Sequence, residues 1–415
     1  AINADTLLRR GQFYEKLNTD SALFYYNQII ADKNLINTHT ETYAKALRKK
    51  ALLQSENKEE RENLDLCRQA IFYFKKMNNG KEIGITHNTM ANIYQVKGYF
   101  DLAIANYQQA AAIFDSIKFY NGLTICYSNI ASIYNNTEQY PNALKYNLLA
   151  FQTAALKNDT FSEGMIAHDV AIAFVKNNQP DSARYYAATA LKYGNAINDN
   201  FVTGYAYKAF YEYYKSKKDW TNAYANAQQS LTYILKTSSE YDACFAYCNA
   251  AESALSLQQL NEARTAIIKA EGFAKAVESF QLNKRVYSLY KEIAAASGDF
   301  KNAFHYAQLY QQNSDSVFYE KRNNTLNELE TKYQTKQKET QIAQQQTEIQ
   351  QTKTRLLIAV ILFLLLFFGA LLVYLFLKQR QKLLQNKIIT IEQQKKLELT
   401  QAIIDGEEQE RTRLA

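Results

Sequence analysis

The amino-acid sequence predicts an all-α protein. A stack of about eight helix hairpins comes first, then a helical linker, one membrane-spanning helix and a second helical segment. Three observations carry the prediction. Turn residues are scarce, with 12 Gly and 2 Pro in 415 residues, and this starves sandwiches, barrels and doubly wound α/β folds. Alanine recurs every 40 residues at Ala103, Ala143, Ala183, Ala223, Ala263 and Ala303. Residues 356–377 form an apolar run without a charge.

The hairpin stack follows from the columns around these alanines. Backwards from Ala103, Asn63 and then Ala22 hold the same place, the last step being 41 residues. Twelve before the anchor stand Ala51, Ala91, Ala131, Ala171 and Ala251; nine before stand Phe13, Tyr94, Tyr134, Phe174 and Tyr214. Seven after stand Ala70, Ala110, Ala150, Ala190, Ser230 and Ala270. Small residues on facing helices permit close approach, and the aromatic fills the space beside them. Turn signals separate the helices at Gly98, Asn135-Asn136, Asn177-Asn178, Lys218-Asp219 and Gly298-Asp299, and separate the units at Asn158-Asp159 and Asn198-Asp199-Asn200.

Residues 91–110, ANIYQVKGYFDLAIANYQQA, resemble the tetratricopeptide repeat, with small residue, Tyr, Gly-aromatic, Ala, Tyr and Ala in order. The usual unit is about 34 residues; here the helices are expected to be longer. The resemblance covers about residues 6–315. Arg10 and Gln54 break the pattern in the first two units, and Ala254 and Ala294 replace the aromatic in the last two. It implies a superhelix whose concave groove is lined by the first helix of each unit. The groove residues it implies are Asn88, Asn92, Ser128, Ser132, Asn135, His168, Lys208, Glu212 and Glu252. This polar surface of mixed charge suits a peptide or protein partner better than an apolar ligand.

Other chemistry is thinly represented. The glycines are too few for a phosphate-cradling loop, and a net charge of +7 without a basic stripe gives no reason to expect direct nucleic-acid binding. Cys67, Cys126, Cys244 and Cys248 form no C-x-x-C pair and read as small buried hydrophobes. His39, His87 and His305 lack neighbours at ligand spacing, so neither a metal nor a cofactor is expected. His168-Asp169 looks like a phosphoacceptor pair, but its register places it on a repeat helix, so no catalytic residue is expected.

The linker, from 316 to 355, is rich in Gln, Glu, Lys and Thr. Leu326, Leu329 and Tyr333 form one apolar stripe, and Ile342, Ile349 and Leu356 recur every seven residues. The 22-residue run 356–377 gives about 33 Å of helix against a hydrocarbon core of about 30 Å. Lys378, Arg380, Lys382 and Lys387 follow it, whereas only Lys353 and Arg355 precede it closely, which favours a cytoplasmic C-terminus. The repeat domain is then expected outside a bacterial inner membrane. A start at Ala1 rather than Met fits removal of an export signal, although no signal peptide is visible. Beyond the span, Leu384, Ile388 and Ile391 form one stripe, with Leu397 and Ile404 out of phase. That pattern, over 378–405, predicts a parallel dimeric coiled coil with a phase break, followed by Gly406.

Residues 406–415 contain an acidic-Arg run, Glu407 to Arg411, then Leu414-Ala415. They resemble the start of the dimerisation helix of sensor histidine kinases of the nitrate-sensor subfamily, in which the phosphoacceptor histidine follows shortly. The resemblance implies the sensor and transmembrane part of such a kinase. Its ATP- and Mg-dependent domain, and its contact with a response regulator, would then lie beyond Ala415. Two other outputs fit the same sensor: a membrane-tethered transcriptional regulator with a helix-turn-helix, and a repeat scaffold held at the membrane.

Overall fold

The structure is a computed structural model that describes residues 3–55 and 60–414, with side chains described for 3–55, 61–315 and 344–411. Its described elements are helices, and the first sixteen apart from α3, with the start of the seventeenth, form eight hairpins. They are α1 (Ala4–Tyr14) with α2 (Thr19–Ala31), α4 (Thr40–Leu53) with α5 (Glu60–Lys76), and α6 (Gly80–Val96) with α7 (Phe100–Ser116). Next come α8 (Tyr120–Asn136) with α9 (Tyr140–Ala155), α10 (Thr160–Lys176) with α11 (Pro180–Ala196), and α12 (Asn200–Ser216) with α13 (Trp220–Ile234). The last two are α14 (Glu240–Ser256) with α15 (Leu260–Val277), and α16 (Phe280–Ala296) with the start of α17 (Phe300–Leu414). A short helix, α3 (Leu35–Thr38), is inserted between the first two hairpins.

The stack is built on a 20-residue beat. A left-handed residue follows each helix from α5 to α16 except α13: Asn78, Gly98, Lys118, Glu138, Asn158, Asn178, Asn198, Lys218, Gln258, Glu278 and Gly298. At most of them the next residue's N–H reaches back five positions, as Asp199 N does to Gly194 O at 3.0 Å. The Asp199 carboxylate then accepts the Val202 N–H of the following helix at 2.9 Å. One residue thus ends one helix and opens the next, satisfying backbone groups on both. Asn79, Asp219 and Asp299 do the same. The turn expected at Asn135-Asn136 lies three residues later, because both asparagines complete α8 and Glu138 takes the left-handed conformation.

The alanine ladder is the core. Every anchor from Ala22 to Ala263, Asn63 included, is fully buried, while Ala303 is partly so. The Asn63 amide donates to Gln54 O at 3.1 Å, while its buried Oδ1 has no hydrogen-bond partner. Two of the column aromatics stack across their hairpins: Tyr134 on Tyr146 at 5.7 Å and Phe174 on Tyr186 at 5.4 Å. The first hairpin departs from the expected register by one residue. Phe13 is 66% exposed, and Tyr14 is the ring that stacks on Tyr25, at 5.7 Å. Gly11, not Arg10, meets the opposing helix, with Tyr26 against its Cα. The cysteines are all buried, and burial pushes the thiols of Cys67 and Cys126 up to about 12, which keeps them unreactive.

Two units divide the chain, Ala1–Glu330 and Thr331–Ala415. In the first, the leading helices of adjacent hairpins touch, as α4 touches α6, α6 touches α8, α10 touches α12 and α14 touches α16. They form an inner layer. The second unit lies on α17. Its stretch 344–411 contains the one helix among the described residues that is long and apolar enough to cross a membrane. Side chains along 356–377 are exposed throughout. The expected stripe of Leu326, Leu329, Tyr333 and Ile342 falls outside the residues whose side chains are described. Ala415 of the expected dimerisation motif lies outside the described residues altogether.

Candidate functional site

The inner layer carries one dense polar and aromatic cluster, on α10, α12, α14 and α16. Helical spacing assembles it. Tyr205, Lys208 and Glu212 fall on one face of α12 at steps of three and four; Asp242, Phe245, Asn249 and Glu252 do so on α14. His168 joins them from α10 and Arg285 from α16. Four residues expected in the groove, His168, Lys208, Glu212 and Glu252, therefore share one electrostatic neighbourhood.

Cations and rings are interleaved. The Lys208 ammonium lies 4.7 Å from the Tyr205 ring centre and 5.8 Å from that of Phe245, and the Arg285 guanidinium lies 5.1 Å from Phe245. Arg285 also donates to Asn249 Oδ1 at 2.7 Å and faces Glu252 at 3.5 Å. Glu252 receives Lys215 at 2.7 Å and the Tyr211 hydroxyl at 2.8 Å. The Tyr205 hydroxyl donates to Asp242 at 2.5 Å. The His168 ring stands edge-on to Tyr205 at 4.8 Å, with Nδ1 3.0 Å from Asp169. That contact assigns the proton to Nδ1 and leaves Nε2, buried and without a hydrogen-bond partner, as an acceptor. Arg285 Nε is likewise unpartnered.

Burial is the main electrostatic influence. It lowers His168 below the ordinary histidine value against the opposing pull of Asp169, so the ring is neutral. It also lowers Lys208, while Asp242, Glu212 and Asp169 oppose the shift. At Glu252 burial works to raise the carboxyl, but Lys215, Tyr211 and Arg285 together outweigh it and hold the group below the usual range. The enclosed space beneath Tyr205, Lys208 and Phe245 is about 10 Å³, room for about one water. That space is too small for a small-molecule ligand.

The other expected groove residues sit apart from the cluster. Asn88 and Asn92 are on α6, where Asn92 Oδ1 accepts the buried Tyr107 hydroxyl at 2.5 Å and Asn88 faces the Cys126 thiol at 3.7 Å. Ser128, Ser132 and Asn135 are on α8, with only Ser132 fully exposed. Sequence reasoning missed Tyr205, Tyr211, Asp242, Phe245, Asn249 and Arg285. For Tyr211 a signal existed. It stands in the small-residue column between Ala171 and Ala251, and a fully buried tyrosine there marks a local change of purpose.

Known proteins share this fold. A signal-transduction ATPase with a tetratricopeptide-repeat sensor, from Pyrococcus horikoshii, superposes with a TM-score of 0.53 at 15% identity, over 76% of this chain. The match spans 53% of that protein's length. The apo form of RapI matches with a TM-score of 0.51 at 12% identity, over 66% of this chain and 98% of its own. Aspartyl phosphate phosphatase F from Bacillus subtilis matches with a TM-score of 0.50 at 17% identity, over 65% of this chain and 70% of its own. No family model matches the chain, and no curated protein does. The hairpin domain thus has the fold of tetratricopeptide-like repeat proteins.

Proposed function

We propose that the repeat domain binds an extended peptide or protein segment on the α10–α16 surface, and that the chain is the sensing and transmembrane part of a two-component sensor histidine kinase. The observation that carries the binding reading is the clustering of Lys208 and Arg285 against Tyr205 and Phe245 on the inner layer. Aromatic and arginine anchors supply most of the affinity in such interfaces, and the carboxylates Glu212, Asp242 and Glu252 add register. The sensor of the Pyrococcus horikoshii ATPase offers a parallel for repeats of this fold in signalling.

The membrane reading rests on 356–377 and its flanks. A span of this length, with more Lys and Arg after it than before, would put the repeats outside the bacterial inner membrane and residues 378–414 in the cytoplasm. The helical segments on either side would pair with those of a second copy and carry a change across. The acidic-Arg run at Glu407 to Arg411 points to kinase output through a histidine beyond Ala415, phosphorylated from ATP and read by a response regulator.

Peptides selected from a random display library against the full chain in detergent test the binding. Their affinity should fall at least about tenfold, some 1.4 kcal/mol, in Lys208→Met. Selected peptides that bind Lys208→Met unchanged would overturn the assignment. The gene sequence past Ala415 tests the output: a nearby histidine followed by an ATP-binding domain supports a kinase, and a helix-turn-helix or an immediate stop refutes it.

A further inference from the structure

A cavity of about 340 Å³ opens between α13 and α15, with α14 behind it, and shares no residue with the peptide surface described above. Its volume is near the lower end of the range for small-molecule sites, about 300 Å³. Repeat register explains why it is there. The column three residues after each alanine anchor holds Tyr25, Tyr146, Tyr186 and Tyr306, and each of these rings stacks on an aromatic of its own hairpin. In the seventh hairpin the same column holds Ala266, and Ala254 stands where Tyr134 and Phe174 supply a facing ring. Both rings are missing from one hairpin, and Ala266 lines the cavity.

The fourth hairpin shows what belongs in the gap. There the Tyr146 ring lies 6.0 Å from that of Tyr127 on α8, and its hydroxyl accepts from Gln108 Nε2 of α7 at 3.1 Å. Three repeats later, Tyr247 stands for Tyr127, Gln228 for Gln108 and Ala266 for Tyr146. The ring wall and the amide are kept, and both line the cavity; only the tyrosine between them is gone. One repeat further on, Tyr287 again faces a ring, that of Tyr306 at 6.4 Å. Phe273 stacks on Tyr247 at 5.9 Å, but from two turns beyond Ala266 on α15, so it does not take the vacant place. Among the described residues the Gln228 side chain has no hydrogen-bond partner. Tyr224 and Leu231 complete the apolar wall, and exposed polar side chains such as Glu262 and Lys269 form the rim.

We propose that this cavity binds a small phenolic molecule, its ring against Tyr247 and its hydroxyl accepting from the Gln228 amide. The guest takes the position that the Tyr146 side chain fills in its own hairpin. Covering Tyr247 and Leu231 supplies the apolar gain, and the amide selects a hydroxylated ring. The volume admits one ring with a short substituent rather than a length of chain, and the polar rim leaves that substituent in water.

The test uses the full chain in detergent, with calorimetry as the readout. The probes are tyramine, tyrosine and 4-hydroxyphenylacetate, each beside its analogue without the hydroxyl: phenethylamine, phenylalanine and phenylacetate. At least one phenol should bind, and its analogue should bind about fivefold more weakly. Ala266→Tyr supplies the missing ring from the chain itself. It should abolish phenol binding and, by filling the cavity, slow hydrogen exchange in α14 and α15. Failure of every phenol at millimolar concentration would overturn the proposal, as would phenols that bind Ala266→Tyr unchanged. Binding of tyrosine only within a peptide would place a protein partner there and overturn the small-molecule reading. Equal binding of phenol and analogue would also overturn it, a comparison that needs no variant and survives if Ala266→Tyr fails to fold.

Discussion

Two glycine-to-alanine substitutions in the repeat domain should act in opposite directions. At Gly84, in α6, an added Cβ would lie 2.5 Å from Cε1 of Phe114, well inside contact distance. The ring cannot retreat. It is 1% exposed, and Gly122 of α8 holds its other side, where a Cβ would be 2.6 Å away. Overpacking of this kind costs about 1–3 kcal/mol, whereas removing a helical glycine gains about 1 kcal/mol. Gly84→Ala should therefore lose up to about 2 kcal/mol locally, a factor of up to about 30 in the opening equilibrium. Gly272, exposed in α15, has nothing within 4 Å of a built Cβ, so Gly272→Ala should gain about 0.5–1 kcal/mol from the backbone alone. Native-state hydrogen exchange on the full chain reads both, since it reports each hairpin separately where a single melting point would blend them. Faster exchange in α6–α8 for the first and slower exchange in α15 for the second are expected. Equal signs would refute the account of hairpin packing around Phe114.

Three further outcomes follow from the same geometry. Lys218 sits at φ 57°, a conformation that disfavours side chains, so Lys218→Gly should slow exchange at the ends of α12 and α13, by about 0.5–1 kcal/mol. Glu252→Gln weakens a partly buried network with Lys215, Tyr211 and Arg285 and should cost about 1–3 kcal/mol, visible as faster exchange in α14. The pH dependence has a definite sign. The Glu252 carboxyl is held below its usual value, so its contribution is present above the unfolded value of 4.5 and is lost as pH falls through the native one. His168, neutral in the fold, is depressed from 6.5, so the unfolded chain takes up a proton first and stability declines as pH drops below 6.5. Substituting both, as Glu252→Gln with His168→Gln, should flatten the decline in stability from pH 6.5 downward, His168→Gln acting first and Glu252→Gln below 4.5; an unchanged slope would contradict the assignments.

Much of the fold was legible because close helix packing demands small side chains, and alanine at Ala103, Ala143 and Ala183 records that demand directly. The turns were less legible. Asn178, Asn198 and Gly98 are types that tolerate a left-handed backbone, but Lys118, Glu138 and Gln258 are not turn residues by type and are held there by the flanking helices. The first hairpin was misplaced by one residue because its packed aromatic, Tyr14, stands eight rather than nine residues before Ala22, with Phe13 left exposed beside it. Of the site, the α12 and α14 members share a polar helical face that repeat register can place. Arg285 could not be found that way, since its role depends on reaching across from α16 to Asn249 and Glu252. Tyr107 shows the limit of reading polar faces: Asn92 looks like a groove residue in the sequence, yet its oxygen is bonded to that buried hydroxyl.

The central claim is that one chain places a ligand-binding repeat domain and a signalling tail on opposite sides of a membrane. Single cysteines at Ser132, exposed on α8, and at Gln385, just past the apolar run, test it directly with a membrane-impermeant thiol reagent on intact cells. The native cysteines are buried and should remain silent. The account predicts labelling at Ser132→Cys before lysis and at Gln385→Cys only after it. Labelling of both positions from one side would contradict it.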